Sequence, residues 1–260
     1  MTTSPSRPAT GLRRVLAALV CVVFVISTAA CTTSSEEDAR RLTTSESELL
    51  SAARFRNYDA GTRRIDVTIA GPETSTELTG YYDFLDHAGL VQVVPTDDGS
   101  TVGAEEYTNY VWWTTSVVGE AVVEGAAPDW EAGIPAVDPA WEWEFFEMDS
   151  SASTLLATLA LVSATGVDRP DNPQLLAQSD ALWLDSTEDG VWFQLPSSDE
   201  IAPATGQPVE RATIPRFLVS DDGVIQRAEV TLADSSTATI VFGASDDGDV
   251  PLPDVATSGE

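Results

Sequence analysis

The sequence predicts an α+β fold: a curled antiparallel sheet of about eleven strands around a central apolar helix. Three observations lead there. Short segments with apolar residues at every second position recur through most of the chain, separated by Asp-Gly, Gly and Pro turns, the pattern of antiparallel strands. One segment breaks the pattern. Residues 151–165 (SASTLLATLALVSAT) carry no charge and repeat at helical spacing. Sheets of this many strands tend to curl, which gives such a helix something concave to lie in.

The chain opens with a segment that sets its location. Arg7, Arg13 and Arg14 precede an unbroken apolar run at residues 15–26, then Ser27, Thr28, Ala29 and Ala30, then Cys31. A positive start, a short apolar core and a small-residue site mark a secretory signal peptide. The run is shorter than the ~20 apolar residues that span a bilayer. The cysteine directly after Ala29-Ala30 resembles the lipobox of bacterial lipoprotein signals, although Thr28 stands where a lipobox has an aliphatic residue. The resemblance implies removal of residues 1–30 and a diacylglycerol on Cys31. The chain is then anchored by lipid on the extracytoplasmic face of the cell membrane. Residues 31–44 read as the acylated cysteine and a polar tether, 45–253 as one folded domain and 254–260 as a tail.

Beyond residue 30 the chain holds ten arginines, no lysine and 42 acidic residues, a net charge near −32. Such acidity argues against nucleic acid, whose phosphates call for Lys and Arg. It reads as a solvated surface that keeps an anchored protein from aggregating. Cys31 is the one cysteine left after signal removal, so no intrachain disulfide forms. A domain of about 200 residues buries a sizeable core without one.

Within the domain, Ser45 and Glu48 match an S-x-x-E capping box before a short helix over 46–56. Residues 62–70 alternate, with Ile65, Val67 and Ile69 on one face and Arg64, Asp66 and Thr68 on the other. Strands over 77–85 and 90–95 flank a turn at Asp86-His87-Ala88-Gly89, and Asp97-Asp98-Gly99 marks the next turn. Strands over 107–114 and 116–123 continue the meander. A Pro- and Gly-rich loop over 126–139 leads to a strand in which Trp141, Trp143 and Phe145 alternate with Glu142, Glu144 and Phe146. In the 151–165 helix, Leu155, Leu156, Leu159 and Val162 form a stripe, Ser151 caps and Gly166 ends. Residues 171–176 start a short helical piece. Strands over 181–184, 191–195, 212–220, 224–232 and 237–243 complete the sheet, with turns at Asp189-Gly190 and Asp221-Asp222-Gly223.

Several of these pieces, in this order, resemble the LolA-like lipoproteins of actinobacteria, the LprG and LppX type. They are Gly80-Tyr81-Tyr82-Asp83, the Leu-rich helix followed by Asp171-Asn172-Pro173-Gln174-Leu175-Leu176 and Ser179-Asp180-Ala181, and the Asp189-Gly190 strand opening. The hairpin over 219–230 and the run Gly248-Asp249-Val250-Pro251 complete the set. The resemblance covers nearly all of the chain after the signal. It implies a half-barrel sheet with helices packed on its concave face, an apolar cavity between them, and binding or carriage of acylated lipids or sensing of lipoproteins. It brings no catalytic motif.

The residues themselves point away from an enzyme. His87, the single histidine, lies in a predicted turn, and a general base needs a partnered setting. No G-x-S-x-G elbow occurs, no lysine exists for a Ser-Lys dyad, and no His/Cys cluster offers a zinc site. Residues 185–190 (DSTEDG) start like an EF-hand loop, but Pro196 stands where its last Glu is required. No cofactor or metal is expected.

The expected activity is binding or carriage of a lipid or glycolipid in the half-barrel. The expected lining is Leu155, Leu156, Leu159 and Val162 of the helix with Trp143 and Trp183 of the strands. The runner-up is a non-catalytic sensor lipoprotein with a filled core whose surface binds a cell-envelope protein. A third reading is a carbohydrate-binding or glycoside-cleaving protein, with tryptophans stacking on sugars and paired carboxylates across a groove. The anchor is directly testable. Two acyl chains hold a protein on a bilayer with about 0.8 kcal/mol per buried CH₂. Cys31→Ser is therefore expected to abolish labelled fatty-acid incorporation and move the protein out of the membrane fraction; unchanged fractionation of an unlabelled wild type would refute the anchor.

Overall fold

The computed structural model describes residues 39–96, 107–196 and 214–253. The signal, Cys31, most of the tether, the Asp97-Asp98-Gly99 turn and the 254–260 tail lie outside the described residues. Twelve strands form a single open, curled sheet: β1 (Arg40–Arg41), β2 (Thr62–Ala70), β3 (Ser75–Asp83), β4 (Ala88–Thr96), β5 (Tyr107–Trp113), β6 (Val117–Glu124), β7 (Glu144–Glu147), β8 (Leu182–Thr187), β9 (Gly190–Gln194), β10 (Arg216–Val219), β11 (Ile225–Thr231) and β12 (Thr237–Asp246). Their order is β1-β8-β9-β10-β11-β12-β2-β3-β4-β5-β6-β7, so β1 and β7 are the edges. Every neighbouring pair is antiparallel. The helices are α1 (Thr44–Asp59), α2 (Thr154–Ala164) and α3 (Pro173–Gln178). The strand beyond the expected eleven is β1, two arginines whose apolar periodicity is nil.

Side-chain alternation splits the sheet into two packed faces. On the inner face Ile65, Val67, Leu78, Tyr82, Val91, Val111, Trp113, Phe193, Phe217, Ile240 and Phe242 join Leu50 and Ala53 of α1 and Leu156, Leu159 and Val162 of α2 in one core. The intervening residues Tyr81, Leu90, Tyr110 and Trp112 form a second core with Trp130 and Val250. The Pro- and Gly-rich loop after β6 supplies its lid: Ile134, Val137, Trp141 and Trp143 all pack there.

Local chemistry moves several element ends. Thr43, not Ser45, caps α1: its hydroxyl accepts from the Glu46 N–H while the Glu46 carboxylate accepts from the Thr43 N–H at 2.8 Å. The two S/T-x-x-E matches overlap, and Arg40 decides between them by a two-pronged hydrogen bond to Glu46, both contacts 2.7 Å. Ser153, not Ser151, caps α2. The Ser151 hydroxyl and amide both bind Asp149 Oδ1 instead, closing a turn before the helix. Gly166 follows the Thr165 cap and lies against the Phe84 ring, where an added Cβ would come within 2.3 Å. The β3–β4 turn falls at residues 84–87, because Asp83 Oδ1 accepts from the Leu85 and Asp86 amides. Ala88 and Gly89 are therefore strand residues, and Trp113 rests on Gly89 where any side chain would collide. The strand predicted from Trp141 begins only at Glu144.

A bulge in β12 ties these parts together. Phe242 pairs with Ile65 and Ser245 with Arg63, so Gly243 and Ala244 together oppose Arg64. The bulge leaves carbonyls pointing inward, and Arg63, 3 % exposed, binds them: Nη2 donates to Phe242 O at 3.1 Å and Gly243 O at 2.9 Å. Its Nη1 donates to Asn57 Oδ1 of α1 at 2.6 Å and to Ile225 O of β11 at 2.8 Å. Burial pushes this guanidinium down to about 10, so it stays charged at neutral pH. The helices are joined by Arg54 of α1, which grips Asp171 by Nε at 3.0 Å and Nη2 at 2.7 Å.

Arg63→Met is expected to leave four backbone or side-chain acceptors without donors, at about 1–3 kcal/mol each, and so to lower the urea midpoint sharply with an unchanged slope. Arg63→Lys, with a single ammonium and no fork, should recover only part of the loss. An unchanged midpoint in Arg63→Met would show that the bulge does not need its arginine. A second expectation concerns acid. Arg40 holds the Glu46 carboxylate at about 2, chiefly through its hydrogen bonds. A lowered folded value means a contribution that is complete above the ordinary glutamate range and is lost as pH falls through about 2. Arg40→Ala should therefore be less stable than wild type near neutrality, and the gap should narrow as pH falls from about 5 toward 2; a gap constant over that window would exclude the ion pair.

Candidate functional site

Two regions present themselves, one on each face of the sheet. The inner one surrounds α2. Its buried side consists of Leu156, Thr158, Leu159 and Val162. Beneath it lie Trp113, Tyr82 and Phe84, all fully buried; Trp113 stacks on Tyr82 at 5.5 Å and donates from Nε1 to Ser163 Oγ at 3.2 Å. Burial pushes the Tyr82 hydroxyl up to about 12. The far side of α2 is Ala157, Ala160 and Ala164, apolar and only partly covered, whereas Leu161 packs against the core. Leu155, Val93, Phe146 and Met148, all half-buried, pack against the same core.

Of the residues expected to line an apolar site, Leu155, Leu156, Leu159, Val162 and Trp183 all belong to this inner cluster. Trp183 sits at the β1 side of the sheet, where Arg40 covers its ring at 4.3 Å. Trp143 belongs to the outer cluster, between Trp141 at 6.1 Å and Phe145 at 6.3 Å. The sheet separates it from α2. His87 adopts a left-handed backbone, φ 52°, and packs half-buried against Tyr58 with ring centroids 6.0 Å apart. Among the described residues no group of three or more His, Cys, Asp or Glu side chains is placed to hold a metal ion.

The outer region is a cleft of ≈ 480 Å³ beside the β12 bulge. Arg64 is outward because Arg63 is inward, and Asp66 lies two residues on along the same face. Tyr81 of β3 is the register partner of Arg64. Its hydroxyl donates to Trp130 O at 3.0 Å, while Trp130 Nε1 donates to Gln92 Oε1 at 3.0 Å, so strap and sheet are pinned at both ends of one residue. Glu131 then reaches Arg64 Nη1. Asp66 accepts from Arg64 Nη2 at 3.3 Å and from Thr79 Oγ1 at 2.9 Å. These partners, Glu131 first, hold the Arg64 guanidinium above its ordinary value. Residues 243–246 of the bulge close the wall, with Asp246 Oδ1 accepting from the Gly248 amide at 2.8 Å. Asp66 and Glu131 thus converge on one guanidinium.

Sequence reasoning missed this cleft. Alternation along β2 placed Arg64 and Asp66 together on the outward face, which is the signal that existed. Nothing local connects them to Trp130 and Glu131, which come from a loop more than sixty residues away, or to a bulge in β12. No protein-family model and no curated protein matches this chain.

Proposed function

We propose that the protein is a lipid-anchored, non-catalytic envelope protein that holds an acyl chain of a lipid or glycolipid on the inner face of its half-barrel, as LolA-like lipoproteins do. One observation carries the reading. The α2 helix has no charged residue on any side, yet only one side is buried; Ala157, Ala160 and Ala164 form a second, partly exposed apolar side. A helix packed on one face normally carries polar residues on the other. No helix among the described residues is long and apolar enough to cross a membrane, so a bilayer-spanning role does not account for α2. The half-buried Phe146, Met148 and Leu155 extend the apolar surface toward the start of the helix, whereas Trp113, Tyr82 and Phe84 occupy the space beneath its later turns. In this reading the acyl chain lies along the first turns and the far side of α2. The strong net negative charge, −29 for the whole sequence, favours a neutral or sugar-bearing headgroup over an anionic one.

The same filled aromatic layer supports a second reading, a sensor that contacts another envelope protein and binds no lipid. Lipid content separates the two. Protein from its native host, purified without added lipid, is expected to release a stoichiometric acylated species in native mass spectrometry. Ala157→Trp and Ala160→Trp are expected to lower that occupancy by at least about fivefold while shifting stability by less than about 1.5 kcal/mol. A lipid-free wild type that also binds no fluorescent fatty acid would remove the carrier reading and leave the sensor.

A further inference from the structure

The α3 helix differs from the surface around it. Residues 172–179 (NPQLLAQS) carry no charge in a sequence with 42 acidic residues, and no residue of α3 is buried. Leu176 packs against the inner core, while Leu175 is 66 % exposed. The next segment continues the pattern: Leu182 and Leu184 of β8 are half-buried and belong to neither core. The fold brings these leucines to one rim of the sheet. α3 starts beside α1, where the Asp171 amide donates to Ser51 O at 2.9 Å, and leads through Ser179, Asp180 and Ala181 into β8. There Leu182 is the register partner of Arg41 and Trp183 of Arg40, the two residues of the edge strand β1. Arg40 covers the Trp183 ring, and Arg41 is exposed and in no ion pair among the described residues.

This rim is also the part of the fold joined most directly to Cys31. Nine residue steps separate Cys31 from Arg40, a reach of at most ~32 Å. We propose that the β1 rim is the surface that rests on the bilayer, with Leu175, Leu182 and Leu184 at the level of the headgroups and Arg41 donating to their phosphates. The inference rests on the lipid anchor at Cys31 and not on what the inner face holds. An acylated Cys31 keeps the rim near lipid at an effective concentration that free protein does not reach, so a few leucines suffice to bias the orientation. Arginine beside tryptophan and leucine suits the boundary of a bilayer, where the charged head meets phosphate and the apolar groups face the acyl region. The strong net negative charge of the chain, −29, opposes an anionic surface and makes a neutral headgroup the fitting one.

The test uses the acylated chain on phosphatidylcholine vesicles that contain a lipid with a nitroxide on its headgroup. With residues 1–30 removed and Cys31 acylated the chain has no free thiol. A bimane label on Leu175→Cys, Leu184→Cys, Val122→Cys or Val241→Cys therefore reports one position. Val122 and Val241 are exposed on β6 and β12, away from the rim. Quenching of the Leu175 and Leu184 labels is expected, with the other two as bright as on vesicles without nitroxide. Leu175→Glu should lower the quenching at Leu184→Cys about tenfold, the loss of one partly buried leucine from a weak equilibrium, with the melting temperature unchanged. Protein that washes off the vesicles removes the anchor and this inference with it. Protein that stays on the vesicles with its rim labels unquenched overturns the inference alone, as does equal quenching at all four positions. Rim labels shielded only as protein density rises, without quenching by lipid, would assign the rim to a second copy of the chain and overturn it too.

Discussion

The guanidinium of Arg63 lies in the core without a carboxylate against it, and the middle of the sheet depends on that arrangement. A buried charge is tolerated when dipoles surround it. Here the dipoles are backbone carbonyls that the β12 bulge has removed from ladder pairing, together with Ile225 O and the side chain of Asn57. The bulge needs a multidentate donor, and the arginine needs unpaired acceptors; each supplies the other. Through Asn57 the same group fixes α1 on the sheet, and through Arg54 α1 fixes the segment that joins α2 to α3. The inner face is thus assembled around a polar centre inside an apolar shell.

The adjacent Arg64 shows what strand alternation does with two identical residues. One step along the backbone turns the side chain through the sheet, from a site enclosed by carbonyls to one bounded by carboxylates. Arg63 organises the interior and Arg64 the outer cleft, and both stand opposite the same bulge. The outer core exists because a loop of about twenty residues lies flat over β3 to β6, pinned by Trp130 and by the stacking of Trp141 on Tyr110 at 4.5 Å. A large antiparallel sheet can leave one face in water; much of this one is covered on both.

Periodicity made the strands and α2 legible, since a fifteen-residue uncharged segment among alternating ones has few other outcomes. Caps were less legible, because S/T-x-x-E occurs in two overlapping registers before α1 and the choice falls to Arg40, outside the helix. The inward position of Arg63 was implied by its parity with Ile65 and Val67, but an arginine on the apolar side of a strand gives no sign of what will satisfy it. Trp143 and Phe145 were correctly read as sharing a face. Which face of the sheet that is depends on how β7 pairs with β6, a tertiary fact. The cleft joins β2, β3, β12 and the long loop, and only the fold brings these together.

The two ends of the sheet have a consequence for life at close quarters. An open sheet exposes rows of unpaired amides and carbonyls along its outermost strands, and these recruit further strands from neighbouring molecules. Here one margin is two residues long, Arg40 and Arg41, and the other four, with Glu144 and Glu147 exposed. A newcomer would gain only a bond or two and would have to strip water from charges to do so. The lipid anchor proposed above would confine molecules to a plane, where they meet far more often than in solution; brevity and charge at both margins would then let a twelve-stranded sheet be crowded there without zipping into fibres.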